Sequence, residues 1–141
     1  MPRDNTSSLN HPWDRAKATV LVRTNGAWGD QEKVDPGVNF FVLALEALGA
    51  TPKFSCEGHP TGFYVTFEAS YELAREIEAA GFFTVEISRN NGWVIRKGNT
   101  ERIETGYTER DKEQTLRWAT EAWISRFGDR LASLECLKKP A

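Results

Sequence analysis

Cysteine is scarce in this chain of 141 residues: Cys56 and Cys136 are the only two. Two thiols cannot build the disulfide framework of a small secreted domain, so packing must hold the fold. Histidine is equally rare, with His11 and His59 alone. That falls short of the usual zinc-ligand sets and leaves little room for histidine-based catalysis. No apolar run approaches the roughly 20 residues of a membrane-spanning helix. The opening stretch, MPRDNTSSLNHPWDR, lacks the apolar centre of a secretory signal. Neither sign of charge dominates: 18 basic side chains face 20 acidic ones, for a net charge of -2. This gives no electrostatic ground for a nucleic-acid partner or an anionic membrane. A Walker-type phosphate loop, a dinucleotide fingerprint and a nucleophile elbow are also missing. The resulting expectation is a cytoplasmic protein with reduced thiols and with no cofactor, metal, membrane or nucleic acid.

What is present suits one domain. Apolar residues make up 40% of the chain and charged residues 27%, the balance of an ordinary globular core. Residues 1–16 carry Pro2, Pro12 and the polar run DNTSSLN, which predicts a flexible N-terminal arm before a single α+β domain over residues 17–141. Tryptophan is unusually frequent, at five. Trp118 and Trp123 fall in a helical pattern, whereas Trp13, Trp28 and Trp93 lie near loops or turns. A loop tryptophan is a favoured interface anchor, which singles out Trp28.

The hydrophobic pattern sets the order of elements. TVLVRT, residues 19–24, is β-branched and predicts a strand. NGAWGDQEKVDPG, residues 25–37, has the composition of a loop. Asp35 then stands at an N-cap position and Pro36 at the first helical position. The almost wholly apolar VNFFVLALEALG that follows predicts a deeply buried helix, closed by Gly49. TPKFSC (51–56) and GFYVTF (62–67) read as strands joined by a hairpin loop. Residues 68–81 predict a second helix, capped by Ser70, with Ala74, Ile77 and Ala80 on one face and Gly81 at its end. FFTVEIS (82–88) alternates, NNG (90–92) turns, and WVIRK (93–97) returns. A long helix runs from Thr108 to about Leu131, with Thr108 and Asp111 at its start. Its stripe is Leu116, Thr120, Trp123, Phe127 and Leu131, widened by Ile124, with Trp118 away from the stripe's centre. The first six elements give the ferredoxin-like βαββαβ arrangement, an antiparallel sheet with two helices on one face, here with an added strand and a long C-terminal helix. Its other face stands open to the last helix, a second subunit or a ligand.

Alternation along the strands assigns faces. Phe63, Val65 and Phe67 go to the helices, and Tyr64 and Thr66 to the open side. Phe54 and Cys56 are grouped with the helix-facing set, which makes Cys56 a small buried hydrophobe rather than a partner of His59. Arg23, Glu86 and Arg96 are candidates for a charged cluster on the open face. GFYVTF resembles the RNP1 motif of RNA-recognition domains, one residue short, and that resemblance implies bases stacked on the sheet. Only Tyr64 would serve there, because residues 19–24 hold no aromatic. VDPGVNFFVLALEALGA, residues 34–50, resembles the Asp-Pro-Gly turn and first helix of ACT domains. That resemblance implies a ligand near Asp35 and Gly37, at a subunit interface.

Two functional readings follow. The first is a non-enzymatic binding protein that docks on a protein partner through Trp28, Tyr64, Arg23, Arg96 or Trp118. Small acidic domains without catalytic motifs also suit inhibitors encoded by mobile elements. The second is a small-molecule sensor or sponge, a homodimer, with its ligand near the turn of Asp35 and Gly37 or at the subunit interface. An enzyme built on Cys56, His59 or the Arg23 cluster comes third.

Overall fold

The computed structural model describes residues 10–19, 34–56, 64–81, 83–87, 92–97 and 109–138. In chain order its elements are α1 (Pro12–Ala18), α2 (Asn39–Ala47), β1 (Thr51–Cys56), β2 (Tyr64–Glu68), α3 (Tyr71–Ala79), β3 (Phe83–Ile87), β4 (Trp93–Lys97) and α4 (Glu109–Leu131). Short 3-10 turns precede α2 at Pro36–Val38 and follow α4 at Glu135–Leu137. The protein is therefore mixed α+β, as expected.

The four strands form one sheet in the order β1-β2-β4-β3, and each neighbouring pair is antiparallel. The ferredoxin-like order is not what these strands present. Of its first strand, expected at residues 19–24, Thr19 is the turn residue that closes α1, and residues 20–24 lie outside the described residues. WVIRK, read as an added strand, is instead central, between β2 and β3. The reason is visible in its side chains. Trp93, Val94 and Ile95 are buried one after another, and consecutive buried residues on a strand mean cover on both faces. Val94 points away from α3 and is only 3% exposed, so the face expected to be open is covered at its centre.

Among the described strands β1 stands at the edge of this sheet, and it carries a proline within its span. Pro52 cannot donate to a ladder and is tolerated at an edge or an irregularity. The register shifts between Pro52 and Phe54, pairing Pro52 with Phe67 but Phe54 with Thr66 and Cys56 with Tyr64. The backbone register thus sets Phe54 and Cys56 opposite Thr66 and Tyr64 rather than Val65 and Phe67. The irregularity moves them by one position, into the rows of Thr66 and Tyr64. The side chains of Phe54 and Cys56 lie outside the description. Val65 and Phe67 are buried on the helix side as expected.

α2 has almost no polar face, and Phe40, Phe41, Val42, Ala44 and Leu45 are all buried. It lies between the sheet, which it meets at β1 and β2, and α4. Trp123 of α4 makes edge contacts with Phe40 and Phe41. The stripe of Leu116, Thr120, Trp123, Phe127 and Leu131 is buried in full. Among the described elements α4 thus packs on helices rather than across the far face of the sheet. The helix ends follow local chemistry. Ser70 Oγ accepts the Leu73 N–H at 3.1 Å, and Gly49 and Gly81 close α2 and α3 with φ of 98° and 92°, where other residues are strained.

The expected arm differs from the structure over its last part. Residues 12–16 belong to α1, and Trp13 is 2% exposed. Pro12 suits a first helical position. His11 caps the helix, its Nδ1 accepting the Trp13 N–H at 3.0 Å. Its Nε2 reaches Glu121 of α4 at 3.1 Å. Arg15 Nε donates to the Cys136 carbonyl at 2.7 Å, so α1 ties the turn after α4 to the body. Residues 1–9 lie outside the description.

Candidate functional site

Among the described residues, the Asp-Pro-Gly turn lies beside a cleft. Asp35 is exposed and occupies the N-cap position of the Pro36–Val38 turn, but its side chain makes no capping hydrogen bond. The turn closes through the backbone, Val38 N–H to the Asp35 carbonyl at 3.2 Å. Gly37 is buried, and its carbonyl accepts the Trp13 indole N–H at 3.3 Å. That bond links α1 to the turn and makes Trp13 a wall of the space beside it.

A cleft of about 420 Å3 opens there. Its walls come from three places. α1 gives Trp13 and Lys17, the turn gives Gly37, and the start of α4 gives Arg110, Lys112, Glu113, Gln114 and Leu116. The spacing in α1 explains its share: Trp13 and Lys17 are one helical turn apart, so they meet on one face. Lys17 Nζ lies 4.1 Å from the Trp13 ring centroid, a cation–π contact. Arg117 approaches the same ring at 5.0 Å. It is held by Asp14 at 2.7 Å and Glu113 at 3.4 Å.

The charge in the lining is uneven. Among the described lining residues, Lys17, Arg110 and Lys112 are cationic and Glu113 is the one carboxylate. Glu113 is already engaged by Arg117. Lys112 is only 5% exposed, an uncommon state for an ammonium group. The cleft therefore offers aromatic, amide and cationic surface for holding a molecule. The described histidine, His11, is taken up by the Trp13 N–H and Glu121 and is not part of the lining. No cluster of three or more metal-ligating side chains occurs among the described residues. Among them also, no helix is long and apolar enough to cross a membrane.

Of the other predicted site residues, the described Trp118 and Tyr64 are not in this lining. Trp118 is on α4 and 44% exposed. Tyr64 is half-buried, and the register pairs it with Arg96. The Arg96 side chain lies outside the description, as do Arg23, Trp28 and His59. Glu86 is exposed at the register position of Val94. Cys136 is a free, buried thiol. Burial pushes its pKa up, with its own backbone and Arg15 pulling the other way, which makes it a weak nucleophile.

Sequence reasoning missed Trp13, Lys17, Arg110 and Lys112. The signal for the first two was present, a proline-started stretch with Trp and Lys four apart. The last two carry no such signal, because charges in the first turn of a long helix are usually solvated.

Comparison with protein-family models, curated proteins and solved structures returns no match. Function must accordingly be argued from the site.

Proposed function

We propose that this chain is a non-enzymatic binding domain that captures a small molecule in the cleft between α1, the Pro36–Val38 turn and the start of α4. It acts as a sensor or sponge and needs only reversible binding. The observation that supports this reading is the preformed cleft of about 420 Å3 beside Gly37. Its size falls in the range of roughly 300–1,000 Å3 usual for ligand sites.

The test is a thermal-shift screen of unmodified protein against a metabolite collection. A ligand that prefers the folded state raises Tm in proportion to the logarithm of its excess over Kd. Gln114→Trp, on the exposed part of the lining, should fill the cleft, keep the basal Tm and remove the ligand's effect. A ligand whose effect survives that substitution binds elsewhere, and the cleft loses its role.

Docking on a protein partner is the second reading, and one observation favours it. Trp118 stands 44% exposed on the side of α4 away from the buried stripe, and tryptophan is enriched among interface anchors. Trp118→Ala should then weaken a purified partner's binding without altering the circular dichroism spectrum. Unchanged affinity would remove Trp118 from that role.

A further inference from the structure

We infer that His11 is a pH-sensitive latch on α1, and that its protonation releases the first turn of that helix together with the Trp13 wall of the cleft.

Both ring nitrogens of His11 are in use, and their partners fix their roles. Nδ1 lies 3.0 Å from the backbone nitrogen of Trp13. A backbone N–H only donates, so Nδ1 must be the unprotonated nitrogen. Nε2 lies 3.1 Å from a carboxylate oxygen of Glu121 on α4. A carboxylate only accepts, so Nε2 carries the hydrogen. The two contacts therefore select one neutral tautomer. Imidazole is the side chain that ordinarily changes charge between about pH 5 and 8. A second proton on Nδ1 would meet the Trp13 N–H, donor against donor. The bond to Glu121 survives that change and becomes charge-assisted on both sides. Protonation thus turns a ring that serves α1 and α4 together into one that serves α4 alone.

The consequence falls on the cleft. The first amides of a helix have no partner within it, so the Trp13 N–H depends on its cap. Trp13 is 2% exposed, and its indole N–H donates to the Gly37 carbonyl at 3.3 Å. The capped amide and the cleft wall belong to the same residue. The other charges around α1 are directed elsewhere. On α1 itself, Asp14 pairs with Arg117 of α4 at 2.7 Å, an arginine that also meets Glu113. Arg15 donates to the carbonyls of Asn10 and Cys136, and Lys17 lies over the Trp13 ring. On the turn after α4, Glu135 and Lys138 pair with each other at 3.0 Å. Asp35 and Glu46, on the turn before α2 and on α2, form no ion pair with His11. Glu121 is the charge that His11 meets among the described residues.

The experiment follows the unliganded, isotope-labelled chain by NMR from about pH 8 to about pH 5, the range of imidazole titration. At the high end the His11 ring should show the hydrogen on Nε2. The Trp13 backbone amide and indole N–H should both shift with the midpoint of the His11 ring. His11→Asn keeps a capping oxygen that does not titrate and should abolish both shifts while leaving the fold intact. A hydrogen on Nδ1 at about pH 8 would overturn the inference. A Trp13 amide that stays in place while the His11 ring titrates would overturn it too, as would the same Trp13 shifts in His11→Asn. The test uses no ligand, so its failure would leave the small-molecule reading standing.

Discussion

Replacing Trp123 with alanine should cost this domain much of its stability, and the structure sets the size of the effect. The indole is fully buried at the junction of α4 with α2. It meets the Phe41 ring at 5.1 Å and 85°, the Phe127 ring at 6.0 Å and 83°, and the Phe40 ring at 6.5 Å and 60°. A buried tryptophan removes about 150–250 Å2 from water, or about 4–6 kcal/mol at roughly 25 cal/mol per Å2. Core truncations of this kind measure about 3–5 kcal/mol. Domains have about 5–15 kcal/mol in total, so the loss is a large share. With a urea slope of about 2 kcal/mol per M, the midpoint should fall by about 2 M, followed by circular dichroism. Trp118→Ala is the matched control, because that ring is 44% exposed and its loss should cost under about 1 kcal/mol. If Trp123→Ala does not fold, Trp123→Phe keeps one ring and should fall between the wild type and the expected loss. Equal midpoints for Trp123→Ala and Trp118→Ala would refute the view that α4 is anchored on α2 through this ring.

Three smaller tests address local structure. Ser70→Ala removes the acceptor of the Leu73 N–H and should cost about 1 kcal/mol in urea unfolding; no change would mean the cap is not made in solution. Gly128→Ala should stabilise by about 0.5–1 kcal/mol, since Gly128 is helical and an added Cβ meets nothing within 4 Å. Gly81→Ala should do the reverse at φ of 92°, by about 1–2 kcal/mol, and a matching sign for the two would contradict the assigned backbone. The Cys136 thiol, raised by burial, predicts a pH effect. The unfolded thiol ionises first, near about pH 8.5, so its contribution to stability is full below that value and is lost as pH rises through the higher folded value. Comparing wild type with Cys136→Ala from pH 7 to pH 10 isolates it, and parallel curves would show that the thiol is not buried in solution.

Much of the fold is legible in the sequence because it rests on short-range chemistry. Ser70, Gly49 and Gly81 bound their helices through interactions within a few residues, and the α4 stripe follows from a 3.6-residue period. The apolar girth of α2 likewise dictates burial on all sides. What escapes is decided by distant partners. Pro52 marks an irregularity in β1, but only the pairing with β2 shows which way the register moves. β4 looks like an addition by its position in the chain, although its three consecutive apolar residues already suited a strand covered on both faces. Trp13 looks loop-bound beside Pro12 until Gly37 supplies a carbonyl for its indole. The cleft depends on the same kind of long-range meeting. Asp35 and Gly37 were singled out from the turn alone. The cations facing Gly37 come from α1 and α4, and no local pattern links them.

The central claim is that the cleft beside Gly37 is where this domain meets its ligand. The most direct test is a titration of isotope-labelled protein with the metabolite that most raises Tm in the thermal-shift screen, followed by amide chemical shifts. The account predicts saturable shifts at Lys17, Gly37, Lys112 and Gln114, with Tyr64 and Val94 of the sheet unmoved. Shifts confined to the sheet, or none that saturate, would contradict it.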